Sequence, residues 1–345
     1  MKNKRILIRY SALVVTLIGV MVLLFYPMNS FLEGPGDASE ISKIVKIKNH
    51  PDKYNGKFLL TSVSLSRAHP LSYLIAKVNP VYTVEKADEI MSPGQDDDSY
   101  EKVQKYYMQS SINTAIYTAF KAANYKISTH YQGIYVLDIA KSSKFNSILK
   151  VGDVITKIDN HHFNNSLGYV NYINNLKKSQ KVKIQFIRNN QIKTATGALT
   201  KLVNGNYGLG ITLTDYFKIH PSVPVKVNPG NVGGPSGGLM FTLQVYEQLT
   251  QKNIRKNRVV AGTGTINKDG QVGEIGGIDK KIIAAYKNGA TVFLAPYVKP
   301  SKSVLKLEPD HKTNYQLAKE TASKYAPTMK VIPVTSFKDA INKLS

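Results

Sequence analysis

The sequence predicts an α+β protein preceded by one membrane-spanning helix, and three observations carry that reading. The first is an apolar N-terminal stretch behind a basic flank. The second is a compact run of short strands and one helix in the middle of the chain. The third is a last third in which strand and helix patterns alternate, as a layered domain requires. The chain has 345 residues, 42% of them apolar, enough for about two domains with real cores and too many for a disordered chain. It has no cysteine, which excludes disulfides, thiolate metal sites, iron–sulfur clusters and a cysteine nucleophile. Chemistry therefore falls to Ser, Thr, Lys, His or carboxylates. Lys and Arg number 46 against 23 Asp and Glu, a net charge of +23. That excess suits nucleic acid, an anionic membrane or a polyanionic cell wall equally. The lysines are spread along the chain without a long basic run and arginine is scarce, so no nucleic-acid partner is expected.

Lys2, Lys4, Arg5 and Arg9 precede the low-charge stretch from Ser11 to Tyr26. With Ile6, Leu7 and Ile8 this reaches about the twenty residues that a bilayer span needs, and Arg9 can snorkel to the interface. The basic flank predicts a cytoplasmic N-terminus and places everything after Pro27 outside. A signal peptide has a similar apolar core, but Tyr26-Pro27-Met28-Asn29 offers no small-x-small cleavage site, which favours an uncleaved anchor. Gly34-Pro35-Gly36 reads as a short linker, with folding expected to begin shortly after it. Phe58 to Leu65 alternates apolar and hydroxyl residues after the Asn55-Gly56 turn and predicts a strand. Tyr100 to Ala123 carries Val103, Tyr107, Ile112, Ile116 and Phe120 near helical spacing, which predicts one long helix or two short ones. Asp96-Asp97-Asp98 ahead of it lacks the glycine and terminal glutamate of an EF-hand loop and reads as a solvated helix entry.

Residues from about Tyr131 to Leu202 form a unit of their own. Gly133-Ile134-Tyr135-Val136 predicts a strand, Leu149 to Ile155 a turn into another, and Ser166 the cap of a helix carrying Leu167, Val170, Ile173 and Leu176. Val182, Ile184 and Phe186 alternate toward Arg188, with a turn at Asn189-Asn190. This order resembles a PDZ domain of the bacterial type, above all in the L-x-x-G-D-x-I step and the late helix. The resemblance implies a groove between Ile134–Leu137 and Leu167–Leu176, in which Gly133, Ile134, Tyr135, Val136, Leu167 and Val170 would receive an extended peptide as an added strand. A β-rich spacer whose groove goes unused is the alternative.

The chemistry concentrates further on. Asn228 to Gly238 follows a strand pattern at Val223 to Val227 and opens an apolar helix with Leu239, Met240, Leu243, Tyr246 and Leu249. Ser236 stands at that helix's amino end among residues small enough to admit a substrate backbone, and free helix amides suit a developing oxyanion. A plain serine cap on a glycine-rich turn would read the same way, so a second piece is needed. It is Gly276-Gly277-Ile278-Asp279-Lys280-Lys281. At about 100° per residue, Ile278, Ile282 and Ala285 share one face, Lys281 lies on its flank and Lys280 points away, which predicts a solvated Lys280. A partly desolvated Lys281 falls from about 10.4 to roughly 7–8 and can serve as general base to a serine hydroxyl.

Together these pieces resemble the proteolytic domain of Lon-type serine proteases. The similar stretches are Val225-Lys226-Val227 through Ser236-Gly237-Gly238, then Gly262-Thr263-Gly264-Thr265-Ile266 with Gly270-Gln271-Val272, then Ile275-Gly276-Gly277-Ile278 through Lys281. The resemblance implies Ser236 as nucleophile, Lys281 as general base, Thr263 as a hydroxyl holding the lysine, and Gly234 and Gly237 as supports of the turn. The family often has an acidic residue three places before the serine, where this chain has Gly233. The sequence contains no G-x-x-x-x-G-K-[ST] phosphate loop, which implies cleavage without ATP. The early strand and the helix with Gln109 to Ala115 also look like the start of the Lon fold, so the PDZ-like unit would be an insertion. The expected division is anchor 1–30, N-terminal part of the Lon-like domain 31–127, PDZ-like unit 128–202 and Lon-like domain with the dyad 203–345. The whole resembles the membrane-anchored, PDZ-containing Lon-like proteases of Gram-positive bacteria. It implies peptide or unfolded protein segments as substrate and needs neither cofactor nor metal.

Three rivals use parts of the same evidence. Gly234-Pro235-Ser236-Gly237-Gly238 also satisfies G-x-S-x-G, an α/β-hydrolase signature, and such an esterase would need His311, which sits in a polar Pro309-Asp310-His311-Lys312 loop. S-x-x-K occurs at Ser99, Ser147 and Ser303, but neither S-D-N nor K-T-G accompanies it, as a penicillin-binding enzyme would require. No H-E-x-x-H occurs, and the adjacent His161-His162 cannot share a helix face. The non-enzyme rival is a surface PDZ scaffold on an inactive Lon-like fold, with Gly233 as its support.

Overall fold

The computed structural model describes residues 2–92, 95–306 and 311–345; Pro309 and Asp310 lie outside them. The N-terminal helix, Lys2–Phe25, contains a 20-residue apolar run, Ile6–Phe25, long enough to cross a membrane and unburied by the rest of the chain. A six-stranded sheet follows, in the order Lys330–Val334, Val292–Pro296, Val259–Gly262, Lys57–Arg67, Ser30–Glu40 and Thr83–Lys86. The first four strands are parallel, and the N-terminal strands close one side in antiparallel register. Alternation sends Phe58, Leu60 and Val260 to one face and Leu59 and Ala261 to the other. The helices Asp97–Ala122 and Gly238–Thr250 cover the first face, and Ile278–Lys287 and Asn314–Tyr325 cover the second.

Gly34-Pro35-Gly36 is not a linker but part of the strand Ser30–Glu40. Pro35 has no N–H to give, and it lies beyond Glu33, where pairing with Thr83–Lys86 stops; a bulge follows between Pro35 and Ala38. The glycines let this strand pass close to its neighbours, since a Cβ at Gly36 would come within 2.7 Å of the Ser62 carbonyl oxygen. The long helix is a single one, and Asp96 caps it by accepting from the Ser99 amide.

Between the two halves of this sheet in sequence lies a five-stranded antiparallel sheet, ordered Ile211–Pro221, Ile127–Ile139, Val154–Ile158, Lys181–Arg188 and Gln191–Ala198. The sheet runs past residue 202 by taking in Ile211–Pro221 as its edge. Asn165, one residue earlier than expected, caps the helix Ser166–Asn174 through the Gly168 amide, because Ser166 is already its first residue. The long helix joins the two sheets. Tyr106 stacks on Tyr135 with ring centroids 3.9 Å apart and donates its hydroxyl to the Asp215 carbonyl at 2.6 Å. This packing pushes the Tyr106 phenol up to about 12 by burial.

Candidate functional site

The parallel strand Val259–Gly262 ends between two helix N-termini, and that junction assembles the site. Thr263, the next residue, is 1% exposed and its hydroxyl donates to the Ser236 carbonyl at 3.0 Å. The Gly264 amide donates to the same carbonyl at 2.8 Å, and Leu239 in turn donates to the Gly264 carbonyl at 3.1 Å. Ser236 is thus tied by its backbone to the strand end, just ahead of the helix Gly238–Thr250. From the opposite face of the sheet, Lys281 reaches round with Nζ 3.0 Å from Ser236 Oγ and 3.3 Å from Thr263 Oγ1. Lys281 is 3% exposed, and burial lowers its pKa to about 8, with the nearby Glu33 carboxylate opposing the shift.

The turn before the serine needs its glycines. Gly234 has φ 83° and donates to the Gln104 carbonyl at 2.9 Å, while Ser111 donates to the Pro235 carbonyl at 2.8 Å. A Cβ at Gly237 would lie 2.6 Å from Leu60 Cδ1. The expected acidic position has a steric answer: a Cβ at Gly233 would lie 2.8 Å from Gln104 Cβ, so no side chain fits there without moving the long helix. Gln104 and Ser111 hold the turn and were missed by the sequence reading. Their signal is faint, since both are ordinary polar residues of a helix and Ser111 is marked only by its buried position.

Lys280 is not solvated. It is 3% exposed and its ammonium pairs with Asp279 at 2.5 Å. A helical wheel gives one buried face, but the strand Ser30–Glu40 also packs against Ile278–Lys287. That strand also brings in Glu33, whose Oε1 would lie 2.5 Å from a Cβ at Gly277. Burial pushes the Glu33 carboxyl up from its usual range, with Lys280 opposing. The linker reading of the neighbouring glycines concealed this carboxylate.

A cleft of about 270 Å³ opens on Ser236 and Lys281, bordered by Thr61, Ser62, Val63, Met108, Asn231 and Gly233. Pairing between Lys57–Arg67 and Val259–Gly262 stops at Leu60, so Thr61 to Val63 keep one backbone edge free beside the serine. His311 is exposed and its Nδ1 bonds to the Leu305 carbonyl at 2.9 Å; the nitrogen on Ser236 belongs to a lysine. Among the described residues no cluster of three or more His, Asp or Glu gathers as a metal site.

The free edge of the five-stranded sheet is not the strand expected to receive a peptide. Gly133 to Val136 run in a strand with neighbours on both sides: Ile134 faces Asp215 on one side and Ile155 on the other. That strand has no edge to offer a peptide. The free edge belongs to Ile211–Pro221, and a cavity of about 140 Å³ lies between it and the helix Ser166–Asn174, lined by Val170, Ile173, Leu209, Gly210, Ile211 and Leu213. Ile134 contributes to its lining, Val170 borders it and Leu167 stands exposed on the helix without lining it. The overlooked signal was Gly208-Leu209-Gly210-Ile211, a glycine-flanked entry to an edge strand just past the expected limit of the unit.

Comparison with known proteins identifies both parts. Residues 179–324 match the Lon protease (S16) C-terminal proteolytic domain and residues 102–199 match the PDZ domain. The chain thus carries a proteolytic domain of the Lon type together with a PDZ domain. Among curated relatives it is 30% identical over 147 residues to the Lon protease of Ureaplasma parvum serovar 3, covering 42% of this chain and 17% of that protein. With the Lon protease of Shigella dysenteriae it shares 37% identity over 105 residues, 30% of this chain and 12% of that one. These alignments span less than a fifth of either relative. The PDZ domain of the SdrC-like protein from Listeria monocytogenes is 33% identical over 24% of this chain and 90% of its own, with a TM-score of 0.24.

Proposed function

We propose that the protein is a membrane-anchored, extracytoplasmic serine endopeptidase that uses Ser236 and Lys281 without ATP to cut peptides or unfolded protein segments. The observation that carries the reading is the 3.0 Å approach of a buried lysine, its pKa lowered to about 8, to a serine hydroxyl in an open cleft. In its neutral form Lys281 takes the Ser236 proton as Oγ attacks the scissile carbonyl. It then returns that proton to the leaving amine, and water hydrolyses the acyl-enzyme. Thr263 holds the ammonium in line at 3.3 Å. The Ser236 and Gly237 amides have no protein acceptor among the described residues, and with the helix dipole they suit the developing oxyanion. An extended substrate laid along the free edge of Thr61 to Val63 would bring its carbonyl to Ser236.

In this reading residues 1–30 anchor the chain with the N-terminus in the cytoplasm, and the segments 31–126 and 222–345, on either side of the five-stranded sheet, build the protease. The central unit captures substrate at the edge strand Ile211–Pro221 and raises its effective concentration at the serine. The esterase alternative loses support from the position of His311, and the scaffold alternative from the lysine held on the serine. The test is mass spectrometry of a peptide library incubated with the protein in the absence of ATP. Cleavage should fall at least ~10³-fold in both Ser236→Ala and Lys281→Ala. Cleavage that survives Lys281→Ala would refute the base, and binding without cleavage by the unmodified chain would support the scaffold.

A further inference from the structure

The helix Pro70–Val78 wears its apolar face outward. Leu71, Leu74, Ile75 and Val78 fall at i, i+3, i+4 and i+7, the stripe that a surface helix normally turns to its core. Here Leu74 is 55% exposed, Ile75 45% and Val78 83%, and no residue of the helix is buried. Among the described residues elsewhere in the folded part, Ile192, Val203 and Val298 are exposed singly and Leu167 and Val170 as a pair on the groove helix, whereas these three make one face.

The helix is also pinned to the foot of the N-terminal one. The Met28 amide donates to the Ala68 carbonyl at 2.9 Å, and His69 Nδ1 bonds to the Tyr26 carbonyl at 3.2 Å. The Lys2–Phe25 helix packs directly against Pro70–Val78. Phe25 and Tyr26 are exposed at that foot, and Lys77 lies over the Tyr73 ring, 5.2 Å from its centre. Aromatic rings with a snorkelling lysine are what the edge of a bilayer collects.

We propose that Pro70–Val78 is an interfacial helix that docks the catalytic part onto the outer face of the membrane, with Leu74, Ile75 and Val78 in the lipid. The occupant of this face is a lipid surface because the face continues from the end of the segment read as spanning the bilayer. The excess of basic residues adds attraction to anionic headgroups. The proposal rests on the anchor reading above, and its test separates the two.

The chain has no native cysteine, so single labels are clean. The full chain would carry an environment-sensitive fluorophore on Ile75→Cys, on Val78→Cys, on Val15→Cys inside the spanning run or on Ile192→Cys, which is 70% exposed in the edge strand Gln191–Ala198 of the five-stranded sheet. Each is reconstituted into vesicles of phosphatidylcholine with phosphatidylglycerol as the minor lipid, then quenched by nitroxide lipids or by aqueous iodide. The proposal expects the labels at 75 and 78 to shift to the blue, to be quenched by headgroup-level nitroxide and to lose most of their iodide quenching relative to 192. Iodide quenching at 75 and 78 equal to that at 192, with position 15 in lipid, overturns the docking and leaves the anchor standing. Labels at 75 and 78 that neither quencher reaches indicate a protein cover, such as a second copy, and overturn it too. Iodide access at position 15 removes the anchor and the docking with it.

Discussion

In the proposed dyad, Lys281 would set how the reaction responds to pH. Only the neutral amine accepts the serine proton, so kcat/KM should rise with pH through an apparent value near 8, where burial holds this group. Glu33 favours the ammonium, so Glu33→Gln should move that limb to lower pH, which a pH–rate profile with a peptide substrate will show. A limb that stays in place would remove Glu33 from the electrostatics of the site. Gly233→Asp should lower activity, because its Cβ would meet Gln104 Cβ at 2.8 Å and disturb the carbonyl that holds the Gly234 amide. A displacement of this kind at the reacting groups can cost ~10²-fold in kcat. An unchanged or higher kcat would show that the long helix yields and that the acidic position is merely vacant. At this scale Ser236, Thr263 and Lys281 were legible as motifs, and the structure brings their atoms within hydrogen-bonding distance. Glu33, Gln104 and Ser111 were not: Glu33 lies in a strand that Gly34-Pro35-Gly36 disguises, and Gln104 and Ser111 are polar residues of a helix whose contact with the serine turn leaves no local pattern.

The elements meet through a buried charge cluster as well as through the sheet. Arg255, 1% exposed, binds Asp52 of the N-terminal segment and Glu247 at the end of the helix behind Ser236. Leaving the buried Glu247 carboxylate and the part-exposed Asp52 without their cation should cost about 3–5 kcal/mol, so Arg255→Leu should lower the thermal midpoint markedly. Little change would mean that Asp52 and Glu247 relax into water. Several elements could be read from period and caps: Lys57–Arg67, Asp97–Ala122, Ser166–Asn174 and Ile278–Lys287 all stand near their expected positions. Ser30–Glu40 could not, because Gly34-Pro35-Gly36 signals a break and only pairing with Lys57–Arg67 overrides it. The burial of Lys280 escaped for the same reason, since one helix's periodicity records only the partners it is assumed to have.

For the whole molecule, the long helix couples the two sheets, and capture in one should serve cleavage in the other. Val170→Asp, on an exposed helix position at the groove, should raise KM for substrates that engage it while leaving kcat for short peptides unchanged. Equal effects on both substrates would separate the groove from capture. The sequence alone determined the apolar N-terminal run, the order of the two folded parts and the motifs that carry the candidate residues Ser236, Thr263 and Lys281, because length, period and motif spacing are local properties. Only the tertiary structure decided which strand is the free edge of the central sheet, which lysine faces are covered and that Glu33 stands beside the candidate base. Those depend on which elements pack together, and contacts between distant segments leave no period in the chain.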